Sequence, residues 1–456
     1  MVFKSSVVNV GDIAIGGNNP ICVQSMTSTN TLDTNSTVEQ IIALVNAGCE
    51  IVRLTARNVR EAENLKNIKS ELKKKGIEIP LIADIHFNPK VAEVAAQYVE
   101  KVRINPGNYV DKRKSKEQFS DIEYSQETEK ITQNIEPLLK ICKQHKTAIR
   151  IGVNHGSLSE RILFKYGNTA KGMVESALEF IEICQRFSFH DLILSMKASH
   201  VPTMIEANRL LVEEMKERGY YYPLHLGVTE AGDGDDGRIK SAAGIGSLLA
   251  DGIGDTIRVS LTEHPVNEIP FARKLITKYG TRKKLEFPMA TFNSAQQSEY
   301  QLSYNNLNRE DLLINATVDF TRLNSQKSAK ALIIKHNRKE EKTLADDILQ
   351  SLGIKYSKAE FIACPSCGRT LFDIEKELKK VKQQTTHLTG LKIAVMGCVV
   401  NGLGEMADAD YGYVGAGPGK VSLYKRQQLI KKNIPIETAV NSLLVLIKNS
   451  GDWIEK

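Results

Sequence analysis

The 456-residue chain has no run approaching the eighteen or more consecutive apolar residues that a membrane-spanning helix needs. Its start, Met-Val-Phe-Lys-Ser-Ser, lacks the charged and then apolar stretch of a secretory signal, so a cytoplasmic protein is expected. Aromatic residues are scarce, at 6% with a single Trp, and no basic stripe is interleaved with them. That argues against a nucleic-acid surface, where rings stack on bases and cations track phosphates. The net charge of +7 arises from basic and acidic residues mixed along most of the chain, the pattern of a solvated surface. Cysteine is also sparse. Of seven residues, Cys22, Cys49, Cys142 and Cys184 are isolated and read as small buried hydrophobes rather than as a disulfide framework.

The other three cysteines sit together near the C-terminus. Cys364-Pro-Ser-Cys367 is followed by Cys398 and, seven residues later, by the carboxylate Glu405. Three thiolates with one weaker oxygen ligand describe an iron–sulfur cluster with one replaceable position, which can act on a substrate rather than only relay electrons. Gly402 and Gly404 would let backbone wrap closely round such a group. Zinc competes for any Cys-x-x-Cys pair, but a structural zinc site would normally supply a fourth Cys or His, and the surroundings of Cys398 offer none.

From residue 20 to 262, short apolar β-type runs alternate with helical patterns. The strand candidates are 21–24, 51–54, 81–84, 102–104, 148–152, 192–196, 224–228 and 256–259, with amphipathic stretches such as 37–47 and 173–186 between them. Eight βα units in this length predict a TIM (β/α)8 barrel over 1–280, with a doubly wound sheet as the alternative. In a barrel the active site lies at the carboxyl ends of the strands. Those ends carry Arg53, Arg103, Arg150, Lys197 and Arg258, a set that would repel itself without an anionic ligand. Planar guanidinium groups suit phosphate oxygens, so a small substrate with two or more phosphate charges is expected. Glu230 ends the seventh strand as either an ion-pair partner or a proton donor and acceptor, and Asp84 and His86 share that ambiguity. The stretch 232–237, Gly-Asp-Gly-Asp-Asp-Gly, lacks the glutamate of a calcium loop and reads as a flexible loop over the mouth. The polar stretch 109–133 reads as a surface elaboration of the fourth unit.

Residues 281–358 are too few for another barrel and read as a short insertion or linker subdomain. Residues 359–456 then predict a small α/β cluster domain whose two cysteine sites each follow a strand end, after 361–363 and 392–396.

Several stretches then match one family. They are Leu81-Ile-Ala-Asp-Ile-His86, Arg103-Ile-Asn-Pro-Gly-Asn108, Arg150-Ile-Gly-Val-Asn-His-Gly-Ser157 and Ser195-Met-Lys-Ala-Ser199. His225-Leu-Gly-Val-Thr-Glu-Ala-Gly232, Gly254-Asp-Thr-Ile-Arg-Val-Ser260, Cys364-Pro-Ser-Cys-Gly-Arg369 and Gly397-Cys-Val-Val-Asn-Gly402 with Gly404-Glu405 complete the set. The chain thereby resembles the 4-hydroxy-3-methylbut-2-enyl diphosphate synthases of the methylerythritol phosphate route to isoprenoids. The resemblance implies a two-electron reductive ring opening of methylerythritol cyclodiphosphate, with one hydroxyl lost as water. It implies one 4Fe-4S cluster per chain on Cys364, Cys367, Cys398 and Glu405, with electrons from reduced flavodoxin or ferredoxin. It assigns the diphosphate to Arg53, Arg103, Arg150, Lys197 and Arg258, with Asn154, Thr229 and Ser260 nearby, and proton handling to Glu230.

Two departures stand out. Leu403 replaces the family's usual Pro, and the segments 109–133 and 406–414 look like those of the long members, although the central insertion is short here. In short members the cluster domain of one subunit caps the barrel of a homodimer partner, so closure by a partner or by the same chain stays open. The alternative function is a non-catalytic phosphometabolite-binding barrel with structural zinc, a reading that gives Glu230 and Glu405 no role.

Overall fold

The computed structural model describes residues 3–109, 119–293, 298–399, 404, 406 and 408–455. Two three-residue strands, β1 (Val8–Val10) and β2 (Ile13–Ile15), form an antiparallel hairpin before the barrel begins. The barrel strands are β3 (Cys22–Met26), β4 (Ile51–Ala56), β5 (Leu81–Ile85) and β6 (Lys101–Ile104). They continue as β7 (Ala148–Asn154), β8 (Leu192–Lys197), β9 (His225–Leu226) and β10 (Thr256–Ile257). Every pairing within this sheet is parallel and follows chain order, with β10 returning to β3. The ring closes where Leu194 bridges Leu224. This is the expected eight-stranded α/β barrel.

Strand periodicity sorts the side chains. Val102, Ile104, Ile149, Ile151, Leu192 and Leu194 point outward into one continuous core shared with the helices. Cys22, Ile51, Ile82, Ala148 and Ile193, near the strand starts, point inward and pack on Val8, Val10 and Ile15 of the hairpin. The hairpin therefore plugs the amino end of the barrel. Capping follows the sequence: Asp33, Asn58, Asn88 and Thr169 each accept a backbone N–H at the start of the helix they precede.

Several expectations need correction. β9 and β10 are each two residues long, shorter than the expected 224–228 and 256–259, and beyond Leu226 the Thr229 N–H is donated to the Ala198 carbonyl. The stretch 232–237 is no free loop: from Gly234 it is the first turn of the helix Gly234–Ser241. Much of 109–133 lies in a 25-residue helix, Asp121–His145, started by a capping box of Ser120 and Glu123, while 110–118 lie outside the described residues. His86 does not cap the next helix; Asn88 does.

Residues 291–351 hold a four-stranded sheet of β11 (Thr291–Asn293), β12 (Glu299–Tyr304), β13 (Ala331–His336) and β14 (Lys339–Glu340). The helix Arg309–Gln326 joins β12 to the parallel β13, and its Leu312, Val318 and Phe320 belong to the same core as the barrel helices. It packs against a π-helical stretch, Ala242–Gly246, so closely that a β-carbon on Gly246 would lie 2.5 Å from Val318 Cγ2. The final sheet runs β15 (Glu360–Ala363), β16 (Lys392–Met396), β17 (Tyr411–Gly417), β18 (Lys420–Lys425) and β19 (Gln428–Pro435). The first three strands are parallel and the last two antiparallel, and the helices Ile374–Thr385 and Ile436–Asn449 share one buried core with the sheet. Among the described residues no helix is long and apolar enough to cross a membrane.

The Gly246 contact generates a test. Gly246→Leu should overpack the junction with Val318 and cost about 1–3 kcal/mol of stability. Denaturant unfolding measures this, and an unchanged midpoint would show that the insertion does not rest on the barrel as described.

Candidate active site

A cavity lies at the carboxyl ends of the barrel strands, lined by residues of the barrel and of the last domain. Every expected site residue except Glu405 lines it; Glu405 lies outside the described residues. Arg53, Arg103, Arg150, Asn154, Lys197, Thr229, Glu230, Arg258 and Ser260 come from the barrel, and Cys364, Cys367 and Cys398 from the last domain. One chain supplies both halves.

The cations are packed in by absent side chains. A β-carbon on Gly152 would run into Arg103 Nε, and one on Gly227 would lie 2.7 Å from Lys197 Nζ. Part of the charge is balanced. Arg258 meets Glu268 with two hydrogen bonds, Nε to Oε2 at 3.2 Å and Nη2 to Oε1 at 3.0 Å. Glu268 also accepts the Ser25 hydroxyl at 2.8 Å and the Leu261 N–H at 3.2 Å, so its own carboxylate is well satisfied. Arg103 reaches Asp84 at 3.2 Å, the Gly152 carbonyl at 2.8 Å, and His86 Nε2 at 2.7 Å, which makes that imidazole nitrogen an acceptor. Burial, then Arg369 and Arg103, push His86 down to about 3, so its ring is neutral at physiological pH.

Two partners were not legible in the sequence. Glu268 stands in the first turn of a barrel helix, ten residues after Arg258, with no motif to mark it. Arg369, inside the Cys-Pro-Ser-Cys-Gly-Arg run, crosses from the last domain to Asp84: Nη1 donates to Oδ2 at 3.1 Å and Nη2 to the backbone carbonyl at 3.0 Å. Burial alone would raise the Asp84 carboxyl, but Arg103, then Arg53 and Arg369, hold it well below its ordinary value.

The rest of the domain junction is also polar. Ala363, at the end of β15, forms a parallel bridge with Ala231, and the Thr262 hydroxyl donates to the Ala363 and Cys364 carbonyls. Lys382 pairs with Asp233 and Asp236, Lys358 with Asp236, and Lys240 with Glu360. The acidic 232–237 stretch is thus a docking strip for lysines of the last domain and the segment leading to it.

Glu230 adopts a left-handed backbone, φ +51°, uncommon for a residue with a side chain and characteristic of functional positions. It accepts a hydrogen bond from the Thr229 hydroxyl. Burial pushes its carboxyl up to about 7, against the opposing pull of Lys197, Arg258 and Arg103. A carboxyl poised there can hold or release a proton near neutral pH.

The three cysteines form no disulfide and line the cavity together. The Gly397 N–H donates to Cys364 Sγ at 3.2 Å, an arrangement that favours thiolate. Burial, then Cys398, raises the Cys364 thiol well above its ordinary value, a penalty that a bound cationic metal centre would remove. Among the described residues no three Cys, His, Asp or Glu side chains form a group that could hold a single metal ion. A three-thiolate donor set of this kind fits an iron–sulfur cluster.

Comparison with known proteins agrees with this geometry. The family model described as the GcpE TIM-barrel domain matches residues 5–273, and that of the GcpE protein C-terminal domain matches 360–449. This chain belongs to the GcpE family. A relative from Phocaeicola vulgatus, named 4-hydroxy-3-methylbut-2-en-1-yl diphosphate synthase (flavodoxin), is 42% identical and covers 99% of this chain and 98% of its own. A second, from a Synechococcus species and named the same synthase (ferredoxin), is 46% identical and covers 98% of this chain and 94% of its own. The first alignment spans 605 positions, more than the 456 residues here, so that GcpE protein holds segments this one lacks. The second spans 451, close to this chain's length.

Removing Arg369 should loosen the GcpE domain junction. Arg369→Met leaves Asp84 with one arginine fewer, at a cost of about 3 kcal/mol for breaking a buried pair, and should enlarge the radius of gyration seen by X-ray scattering. An unchanged scattering profile and unfolding midpoint would refute the latch. Because the Asp84 carboxyl sits below its unfolded value, this stabilisation is in place above roughly pH 4 and is lost as pH falls through the folded value.

Proposed function

We propose that this chain opens 2-C-methyl-D-erythritol 2,4-cyclodiphosphate reductively to 4-hydroxy-3-methylbut-2-enyl diphosphate, consuming two electrons and releasing one hydroxyl as water, for isoprenoid precursor synthesis. The observation that carries this reading is the meeting of phosphate-type cations and three cysteines in one cavity of one chain. The names of the relatives, which specify flavodoxin or ferredoxin, support an oxidoreductase supplied with electrons by such a carrier.

In this reading Arg53, Arg103, Arg150, Lys197 and Arg258 bind the diphosphate, and Asn154, Thr229 and Ser260 orient its oxygens. The anion relieves the mutual repulsion of the cations, so binding energy is concentrated where the substrate's charge lies. Glu230 supplies the proton with which the hydroxyl departs as water. Cys364, Cys367, Cys398 and Glu405 would hold one 4Fe-4S cluster, which supplies electrons and Lewis acidity when bound. The buried Asp84–Arg369 latch and the Ala231–Ala363 bridge exclude water from the reacting carbon. Since the barrel and cysteine walls of the described cavity come from one chain, this reading needs no exchange of domains with a second subunit. The enzyme works in the cytoplasm, where reduced carriers are available.

Purified without oxygen, the protein should be brown, absorb broadly near about 400 nm and contain iron and sulfide in equal amounts. Glu230→Gln should lower turnover of the cyclic diphosphate by about 100-fold or more while leaving its dissociation constant within a few-fold. A colourless protein holding zinc, or a Glu230→Gln variant with full turnover, would overturn the assignment.

A further inference from the structure

Beneath the floor of the cavity lies an amine that the chemistry above does not use. On β6 the alternation that turns Arg103 into the barrel also turns Lys101 inward, one layer lower. Lys101 has no exposed surface, and among the described residues its Nζ finds no hydrogen-bond partner. The groups facing it are Arg150 from β7, Cys22 from β3, Arg53 from β4 and His225 from β9. None carries negative charge: burial pushes the Cys22 thiol up to about 11, and burial with the surrounding cations keeps His225 neutral. Arg150 lines the cavity directly above, and among the described residues its Nε and Nη1 find no partners. A guanidinium stays charged whatever its surroundings, whereas a buried amine can shed its proton. Burial, then Arg150, hold the Lys101 amine well below its ordinary range.

We propose that Lys101 is a positioning residue for the substrate's diphosphate, a reserve cation beneath Arg150 that becomes charged only when the anion arrives, so that substrate binding takes up a proton. The proposal rests on the diphosphate reading of the cavity. In the empty barrel the neutral amine spares Arg53 and Arg150 another positive neighbour. With the diphosphate seated, the charged amine adds to the field from below. Affinity therefore falls as pH rises from the free value of this amine towards its bound value.

Calorimetric titration of the cluster-loaded protein with the cyclic diphosphate, without reductant and in buffers of different ionisation enthalpy, counts the protons. Lys197 lines the cavity and titrates in its own right, so the readout is the difference between wild type and Lys101→Met. Wild type should take up about one proton more than the variant, and the variant should bind about tenfold more weakly with a flatter pH dependence. Its unfolding midpoint should be unchanged or raised, because an apolar chain of similar length replaces an unpaired amine. Wild type that binds without taking up a proton, or a variant that takes up as many, overturns the role of Lys101 alone. Wild type that fails to bind removes the diphosphate reading itself.

Discussion

The constraint on which the structure depends is an excess of buried positive charge. Arg53, Arg103, Arg150, Lys197, Arg258 and Arg369 converge in a space that water barely enters, against the carboxylates Asp84, Glu230 and Glu268. At low dielectric such a set strains the fold unless geometry fixes each group and an anion completes it. Glu268 answers for Arg258, and Asp84 answers for Arg103 and Arg369 together. Arg150 is left for the ligand. Substrate affinity and fold stability are therefore two aspects of one electrostatic arrangement.

The same arrangement governs how the domains meet. Asp84 belongs to the barrel, yet its second oxygen is reserved for Arg369, two residues beyond Cys367. The cysteine wall cannot settle over the mouth without engaging the carboxylate that also orients Arg103. In the proposed reading, phosphate recognition and the placing of the redox centre are coupled through one side chain, and the acidic strip at Asp233 and Asp236 adds a softer, solvent-screened attachment at the rim. The short insertion leans on the barrel helices and delivers the chain at residue 360 to the edge of the mouth, from which β15 reaches Ala231.

Much of this was legible because it is periodic or local. Cations at strand ends follow from period-two alternation and the barrel rule, which together place Arg53, Arg103, Arg150, Lys197 and Arg258 without coordinates. The cysteines follow from their spacing. What was not legible depends on proximity that no local pattern encodes. Asp84 and Arg369 are 285 residues apart, and the pairing of Glu268 with Arg258 needs a helix start to fold back under a strand end. Lys101 stands just before the expected strand 102–104, and only its inward register on β6 reveals its place. The antiparallel strands β17–β19 and the three-residue strands of the plug are carried by pairing partners rather than by strong intrinsic signals. The acidic stretch at 232–237 misled because glycine and aspartate favour turns equally well whether a loop is free or begins a helix.

The hairpin under the barrel has a last consequence. With Val8, Val10 and Ile15 corking the lower end, the described residues leave the chamber to be reached from the carboxyl ends of the strands, where the cysteine-bearing domain sits. A ligand of the chamber therefore has to pass the junction between the two halves rather than the floor of the barrel.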